Sequence, residues 1–215
     1  MAWYFLLCTV SPFNEANFVS LPRRSISVLH NPAGIGINTG VEMFVTFHST
    51  EKNAGFVLGN LGCGIVHTDA GDIYELGTGI KLPGAFAIGF AREFGDTTEN
   101  IIGVICLLNR YLGLGLKTNL ARKKYVHCSA NAKLFADILT LAGGVIYEGI
   151  ENSRDYRWGI IVAPQYGVKI NLFTDIKSEW HAGCELGTSK LKLSGIYSYP
   201  LKKFSFGLIL SAQDY

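Results

Sequence analysis

No apolar segment of this chain is long enough to cross a membrane as a helix. Its longest apolar runs, 2–10 and 101–108, fall short of the roughly 20 residues that ~30 Å of hydrocarbon requires. Charge is scarce as well, at 17% of residues against about 25% in an ordinary soluble domain. The net charge of +2 comes with no basic run, so phosphate-driven binding has no electrostatic footprint and no nucleic acid is expected as a partner. The cysteines Cys8, Cys63, Cys106, Cys128 and Cys184 are odd in number, widely spaced and without a CxxC pair. They give neither a disulfide framework nor a zinc site, and read as small apolar residues. His127 adjoins Cys128, but strand neighbours point to opposite faces and cannot form a dyad. No GxxxxGK(S/T), GxSxG or HExxH segment occurs. Without them no phosphate cradle, nucleophile or zincin helix can be placed, and no catalytic residue, cofactor or metal is expected.

What the chain does have is glycine and aromatics: 25 Gly, 13 Phe and 10 Tyr in 215 residues, with 48% hydrophobic residues and a mean hydropathy of +0.24. That is the reverse of a disordered composition, and the length suits one domain. The apolar residues are spread in short alternating stretches with a period of two, the mark of strands with unlike faces. Tyr74, Leu76, Thr78 and Ile80 alternate with Glu75, Gly77, Gly79 and Lys81. Phe86, Ile88 and Phe90 alternate with Ala87, Gly89 and Ala91; Leu112, Leu114 and Leu116 with Gly113, Gly115 and Lys117. Trp180, Ala182, Cys184 and Leu186 alternate with His181, Gly183 and Glu185, and Phe204, Phe206, Leu208 and Leu210 with Ser205, Gly207 and Ser211. One face is large and apolar; the other is glycine, small or charged.

Glycine inside a strand weakens it and needs a reason. A closed antiparallel transmembrane barrel supplies one, because bulky residues face lipid while small and polar residues crowd the lumen. Phe86, Ile88, Phe90, Leu112, Leu114, Leu116, Phe204, Phe206 and Leu208 are therefore candidates for the lipid face. Glu75, Lys81, Lys117, Glu179, His181, Glu185, Lys190 and Lys192 are candidates for the lumen. Glu179, His181 and Glu185 share one face; beside Lys169, Lys190 and Lys192 they read as polar lumen residues rather than as metal ligands or an acid/base pair. Breakers at 69–72, 82–84, 95–96, 109–110 and 199–200 mark turns, and the polar stretches 93–100 and 151–157 read as longer connections. About fourteen segments can be counted between 41 and 212. The stretch 55–68 can be read as one bent strand or as two; such barrels favour even strand numbers, and the expectation is about 12 strands, with 10 or 14 also allowed. The stretch 130–142 also fits a helical period but is assigned to strand. Aromatics near segment ends, among them Phe47, Tyr74, Tyr111, Tyr147, Tyr156, Trp158, Tyr166, Tyr197 and Tyr199, suit interfacial girdles.

Ahead of the alternation stands Asn31-Pro32-Ala33-Gly34-Ile35-Gly36. Asn-Pro favours a turn, Ala-Gly lets backbones approach closely, and Gly36 frees the exit angle. The segment resembles the NPAGLG sequence near the N-terminus of a group of bacterial outer-membrane barrels that includes the long-chain fatty-acid transporter family and PorV-like proteins. The resemblance implies a short N-terminal stretch with a helical turn before the first strand, here Val41-Glu42-Met43-Phe44-Val45. It assigns Asn31, Pro32, Ala33, Gly34 and Gly36 a structural corner at the barrel's mouth or lumen. The chain is shorter than the fourteen-strand members of that group. Residues 1–11 read as a truncated export signal or as an ordinary apolar start, and Tyr215 supplies a terminal aromatic off the parity of Phe204 and Leu210. A fragment of a longer protein fits these departures.

The expected organisation is thus a segment 1–37 ending in the NPAGIG corner, followed by a barrel over 38–215. The expected place is the bacterial outer membrane. The expected role is non-enzymatic: transport of hydrophobic small molecules, with lipid around the barrel, or a structural or secretion-associated role beside other envelope proteins. At this strand number a plugged lumen or a lateral path is favoured over an open aqueous pore. Two alternatives stay open: a soluble all-β barrel binding an apolar ligand inside, and the non-catalytic module of a larger envelope enzyme.

Overall fold

The computed structural model describes residues 11–21, 23–37, 40–120, 125–148, 153–175 and 179–212. Residues 1–10 and Tyr215, and with them the signal-like start and the terminal aromatic, lie outside the described residues. Fourteen antiparallel strands close into one barrel, each paired with its neighbours in sequence and β1 with β14. They are β1 (Val41–Phe47), β2 (Glu51–Leu58), β3 (Leu61–Thr68), β4 (Gly71–Lys81), β5 (Phe86–Phe94), β6 (Thr98–Leu107) and β7 (Leu112–Asn119). The second half continues with β8 (Tyr125–Leu134), β9 (Leu139–Glu148), β10 (Ser153–Gln165), β11 (Val168–Asp175), β12 (Trp180–Gly187), β13 (Leu191–Tyr199) and β14 (Lys203–Ser211). Closure leaves no open edge, the condition for a sheet to sit in hydrocarbon.

The count corrects the expectation of about 12. The stretch 55–68 is not one bent strand: Gly59 takes the left-handed backbone conformation at φ +57°, and Gly59-Asn60 reverses the chain between β2 and β3. The stretches 93–100 and 151–157 are not long connections either, since β5 runs to Phe94, β6 begins at Thr98 and β10 at Ser153. Cross-strand pairing extends the strands into polar sequence because ladder hydrogen bonds do not depend on side-chain polarity. The stretch 130–142 is β8, a turn and β9; Phe135, Ala136 and Asp137 all take positive φ to make that turn.

Each strand alternates between an exposed outer row and a buried inner row, clearest in β4, where Ile73, Glu75, Gly77 and Gly79 are buried and Tyr74, Leu76, Thr78 and Ile80 exposed. The barrel is not hollow. Residues 11–21 and 23–37 run inside it as a plug with, among the described residues, two 3₁₀ turns, Asn14–Asn17 and Pro32–Gly36, and one short helix, α1 (Ser27–His30). Apolar residues of the plug and of the inner wall form the core: Phe13, Ile26, Val28 and Ile35 pack with Phe44, Val57 and Ile209, and Phe18 and Leu21 with Ile161, Phe173 and Ile196.

Candidate functional site: the plugged lumen

The plug is built on local hydrogen bonds that its sequence supplies. Asn17 closes the first turn, accepting from Ser11 N at 2.8 Å and donating to Ser11 O at 3.0 Å. Asn31 caps the second: its Oδ1 accepts from Ala33 N at 3.2 Å, and Pro32 occupies the first position, where its missing N–H is not needed. The other half of the Asn31 amide donates to Val19 O at 2.8 Å, tying the two arms of the plug together.

Glycines of the wall receive this corner. Gly79, Gly89 and Gly103 are direct cross-strand partners on β4, β5 and β6. A Cβ at Gly89 would collide with the backbone of Pro32 and Ala33, one at Gly103 with the Asn31 side chain, and one at Gly79 with the Pro32 carbonyl. On β7, Gly115 leaves the same room for the backbone of Val19 and Ser20. The strand glycines therefore form a smooth seat for the plug backbone.

The opposite side of the plug is held by charge. Arg23 pairs with Glu15 at 2.6 Å within the plug and with Glu185 of β12 at 2.7 Å. Lys169 of β11 reaches Glu15 at 2.5 Å, and Ser25 donates through N and Oγ to Glu42 of β1 at 3.0 and 2.5 Å. Arg24 donates to the carbonyls of Gly40 and Gly59, and Lys117 of β7 to Leu29 O at 2.9 Å, at the C-terminus of α1. Burial alone would push the Glu15 carboxyl up; Lys169 and Arg23 more than reverse this and hold it well below the usual carboxylate range. Burial, reinforced by Lys117, His48 and Arg157, pushes His30 down to about 3, and burial brings His48, in the β1–β2 turn, to about 4. Both imidazoles are neutral at pH 7.

Of the residues singled out for the lumen, Glu75 and Lys117 are each 4% exposed, and His181 and Glu185 are buried with them on the inner wall. Glu185 belongs to the ion-pair network; His181 stacks on Phe173 at 4.6 Å and hydrogen-bonds Ser198 Oγ at 2.8 Å. Glu179 and Lys192 are half-buried, while Lys81 and Lys190 share the inward parity but stand exposed at the mouth shared with the β4–β5 turn. Phe86, Leu114 and Phe206 are 50%, 46% and 50% exposed on the outer wall, with Ile88, Phe90, Leu112, Leu116 and Phe204 on the same surface. Leu208 shares their parity and is partly covered by its neighbours Val45 and Leu193. Asn31, Pro32, Ala33, Gly34 and Gly36 are all buried inside the barrel. Sequence reading missed the inward apolar residues, among them Phe44, Val57, Ile105 and Ile209. Their signal was present as stretches where both parities are apolar, such as Phe56-Val57-Leu58 and Leu208-Ile209-Leu210, which mark strands covered on both faces. It also missed the pairing of Glu15, Arg23 and Ser25 of the plug with Lys169, Glu185 and Glu42 of the wall, for which a single sequence holds no pattern.

Beside the plug's exit lies a recess of about 250 Å³. Ile37, Ala87, Ile105 and Leu107 give it an apolar lining, and Lys81 and Arg110 stand at its edge. Tyr74, Tyr156, Trp158, Trp180, Tyr197 and Tyr199 project from the outer wall, and Trp158 and Trp180 meet edge to face at 5.6 Å.

An outward apolar wall around an inner row of glycine, charge and plug is the arrangement a bilayer demands. No protein-family model matches the chain, and no curated protein matches it in sequence. Solved structures do. The outer membrane protein Omp33 of Acinetobacter baumannii aligns with a TM-score of 0.57 at 6% identity, over 82% of this chain and 98% of that one. The fold is that of an outer-membrane barrel. The KdgM porin aligns at 0.50 and 6% identity over 82% of this chain and 100% of its own. A triple mutant of the Rhodopseudomonas blastica porin aligns at 0.51 and 7% identity, over 80% and 98%. At such identities the likeness is one of fold.

Proposed function

We propose that the protein is a non-enzymatic barrel of the bacterial outer membrane that moves hydrophobic small molecules past its own N-terminal plug. The observation that carries this reading is the recess of about 250 Å³ where the plug meets the wall, apolar within and cationic at its edge. An apolar molecule gains by leaving water for such a lining. The Asn31-to-Gly36 corner supports the reading through its resemblance to the fatty-acid transporter group, and the porin-type fold supports a passage role over an enzymatic one. A soluble barrel with an apolar ligand inside would need the opposite arrangement, with Phe86, Leu114 and Phe206 enclosed and Glu75 and Lys117 in water.

The test is uptake of the apolar dye N-phenylnaphthylamine by cells carrying the protein in their outer membrane. Uptake faster than in cells without it is expected, and Leu107→Trp, which fills the recess, is expected to remove the difference. Equal uptake with and without the protein would overturn the reading.

A further inference from the structure

At the end of the barrel formed by the β3–β4 and β5–β6 turns, three glutamates from adjacent strands stand in one row. Glu75 of β4 is the direct partner of Glu93 on β5, and Glu93 of Glu99 on β6; all three share the inward parity. Like charges placed directly opposite one another work against strand pairing. The row is graded, with Glu93 and Glu99 half-exposed toward the mouth and Glu75 only 4% exposed further in. Glu75 Oε1 is buried without a hydrogen-bond partner, a state native proteins rarely leave uncompensated.

The described groups facing the row do not balance it. Lys117 interacts electrostatically with both Glu75 and Glu93, yet its Nζ donates to the Leu29 carbonyl of the plug. Asn119 Nδ2 donates to Glu99 Oε2 at 2.7 Å. His30 of the plug, which interacts electrostatically with Lys117, is neutral. Among the described residues one ammonium stands against the three glutamates, and one carboxyl oxygen is unanswered.

We propose that Glu75, Glu93 and Glu99 form a binding site for organic ammonium groups entering from this mouth. An ammonium offers three N–H donors and makes charge-assisted bonds to carboxylates. Cross-strand side chains about 4.5–5.5 Å apart let one polyamine touch successive members of the row. A bare metal ion fits less well, because among the described residues no group of three His, Cys, Asp or Glu side chains is arranged to hold one. The site rests on the lumen reading only in needing an open mouth, and requires no transport.

The experiment is calorimetric titration of spermidine into the full chain folded in a zwitterionic detergent, with the fold of each variant checked by its heat-shifted gel band. Saturable binding is expected, weakened about tenfold or more by Glu93→Gln with Glu99→Gln, as loss of charge-assisted bonds requires. Lys117→Gln removes the internal competitor and is expected to tighten binding, which keeps the test alive if the double variant does not fold. Glu179→Gln, at the same end but on β12's side, is expected to change nothing. No saturable binding, weakening by Lys117→Gln, equal weakening by Glu179→Gln, or displacement of spermidine by equimolar Mg²⁺ would each overturn the site. Spermidine binding without dye uptake would sink the transport reading alone; dye uptake without spermidine binding would sink this site alone.

Discussion

Ile88 and Gly89 are adjacent on β5 and live in different solvents. Ile88 stands 41% exposed on the outer wall, while Gly89 is buried against Pro32 and Ala33. A charge at mid-strand on the lipid side must leave water for hydrocarbon. Ile88→Arg is therefore expected to cost about 2–4 kcal/mol of barrel stability, read from urea titrations of folding into liposomes. Gly89→Arg should leave the outer surface alone and displace the plug, read as new trypsin cleavage within residues 11–37 of a barrel that still migrates as folded. Equal losses of barrel stability from the two changes would count against the assigned orientation. Asn31 can be probed on the same scale: Asn31→Ala removes the cap on Ala33 N and the tie to Val19 O. An N-cap loss of about 0.5–2 kcal/mol is expected, appearing as faster hydrogen exchange in the plug with the strands unchanged.

Among the elements, the plug is held in part by charge. Its helix and 3₁₀ turns are too short to persist alone, so docking holds them. His30 and His48 have folded values of about 3 and about 4 against 6.5 for a free histidine. Between those values the undocked chain binds protons that the folded state does not, so stability falls as pH drops from the ordinary histidine range. Glu15 acts in the same direction at lower pH: its depressed value stabilises above the usual carboxylate range, and that contribution is lost as pH falls through the folded value. Protection of residues 11–37 against hydrogen exchange is thus expected to decline from pH 7 to pH 4. A plug equally protected at both would contradict the buried neutral imidazoles.

At the scale of the whole molecule, the outer wall decides the environment. Large apolar side chains stand exposed around the barrel, from Met43 on β1 to Leu210 on β14, far beyond the patches a soluble monomer shows. The protein is expected to stay folded and monodisperse only in detergent or lipid, and to aggregate when detergent is removed by dialysis. A monomer stable in plain buffer, measured by light scattering, would refute the membrane assignment.

The alternation of Tyr74, Leu76 and Ile80 with Glu75, Gly77 and Gly79 was sufficient to show strands with two unlike faces. A period of two is a property of the extended chain itself. The need for strand glycines was legible too, but not their purpose: only the closed barrel brings Pro32 and Ala33 against Gly89. Part of the strand number turned on Gly59, whose left-handed φ divides β2 from β3, and local sequence does not reveal whether a glycine bends or reverses a chain. The pairing of Arg23 with Glu185, and the row of Glu75, Glu93 and Glu99, belonged to the tertiary structure alone. Contacts between residues distant in sequence follow from register and closure, which are set by the whole sheet rather than by any segment of it.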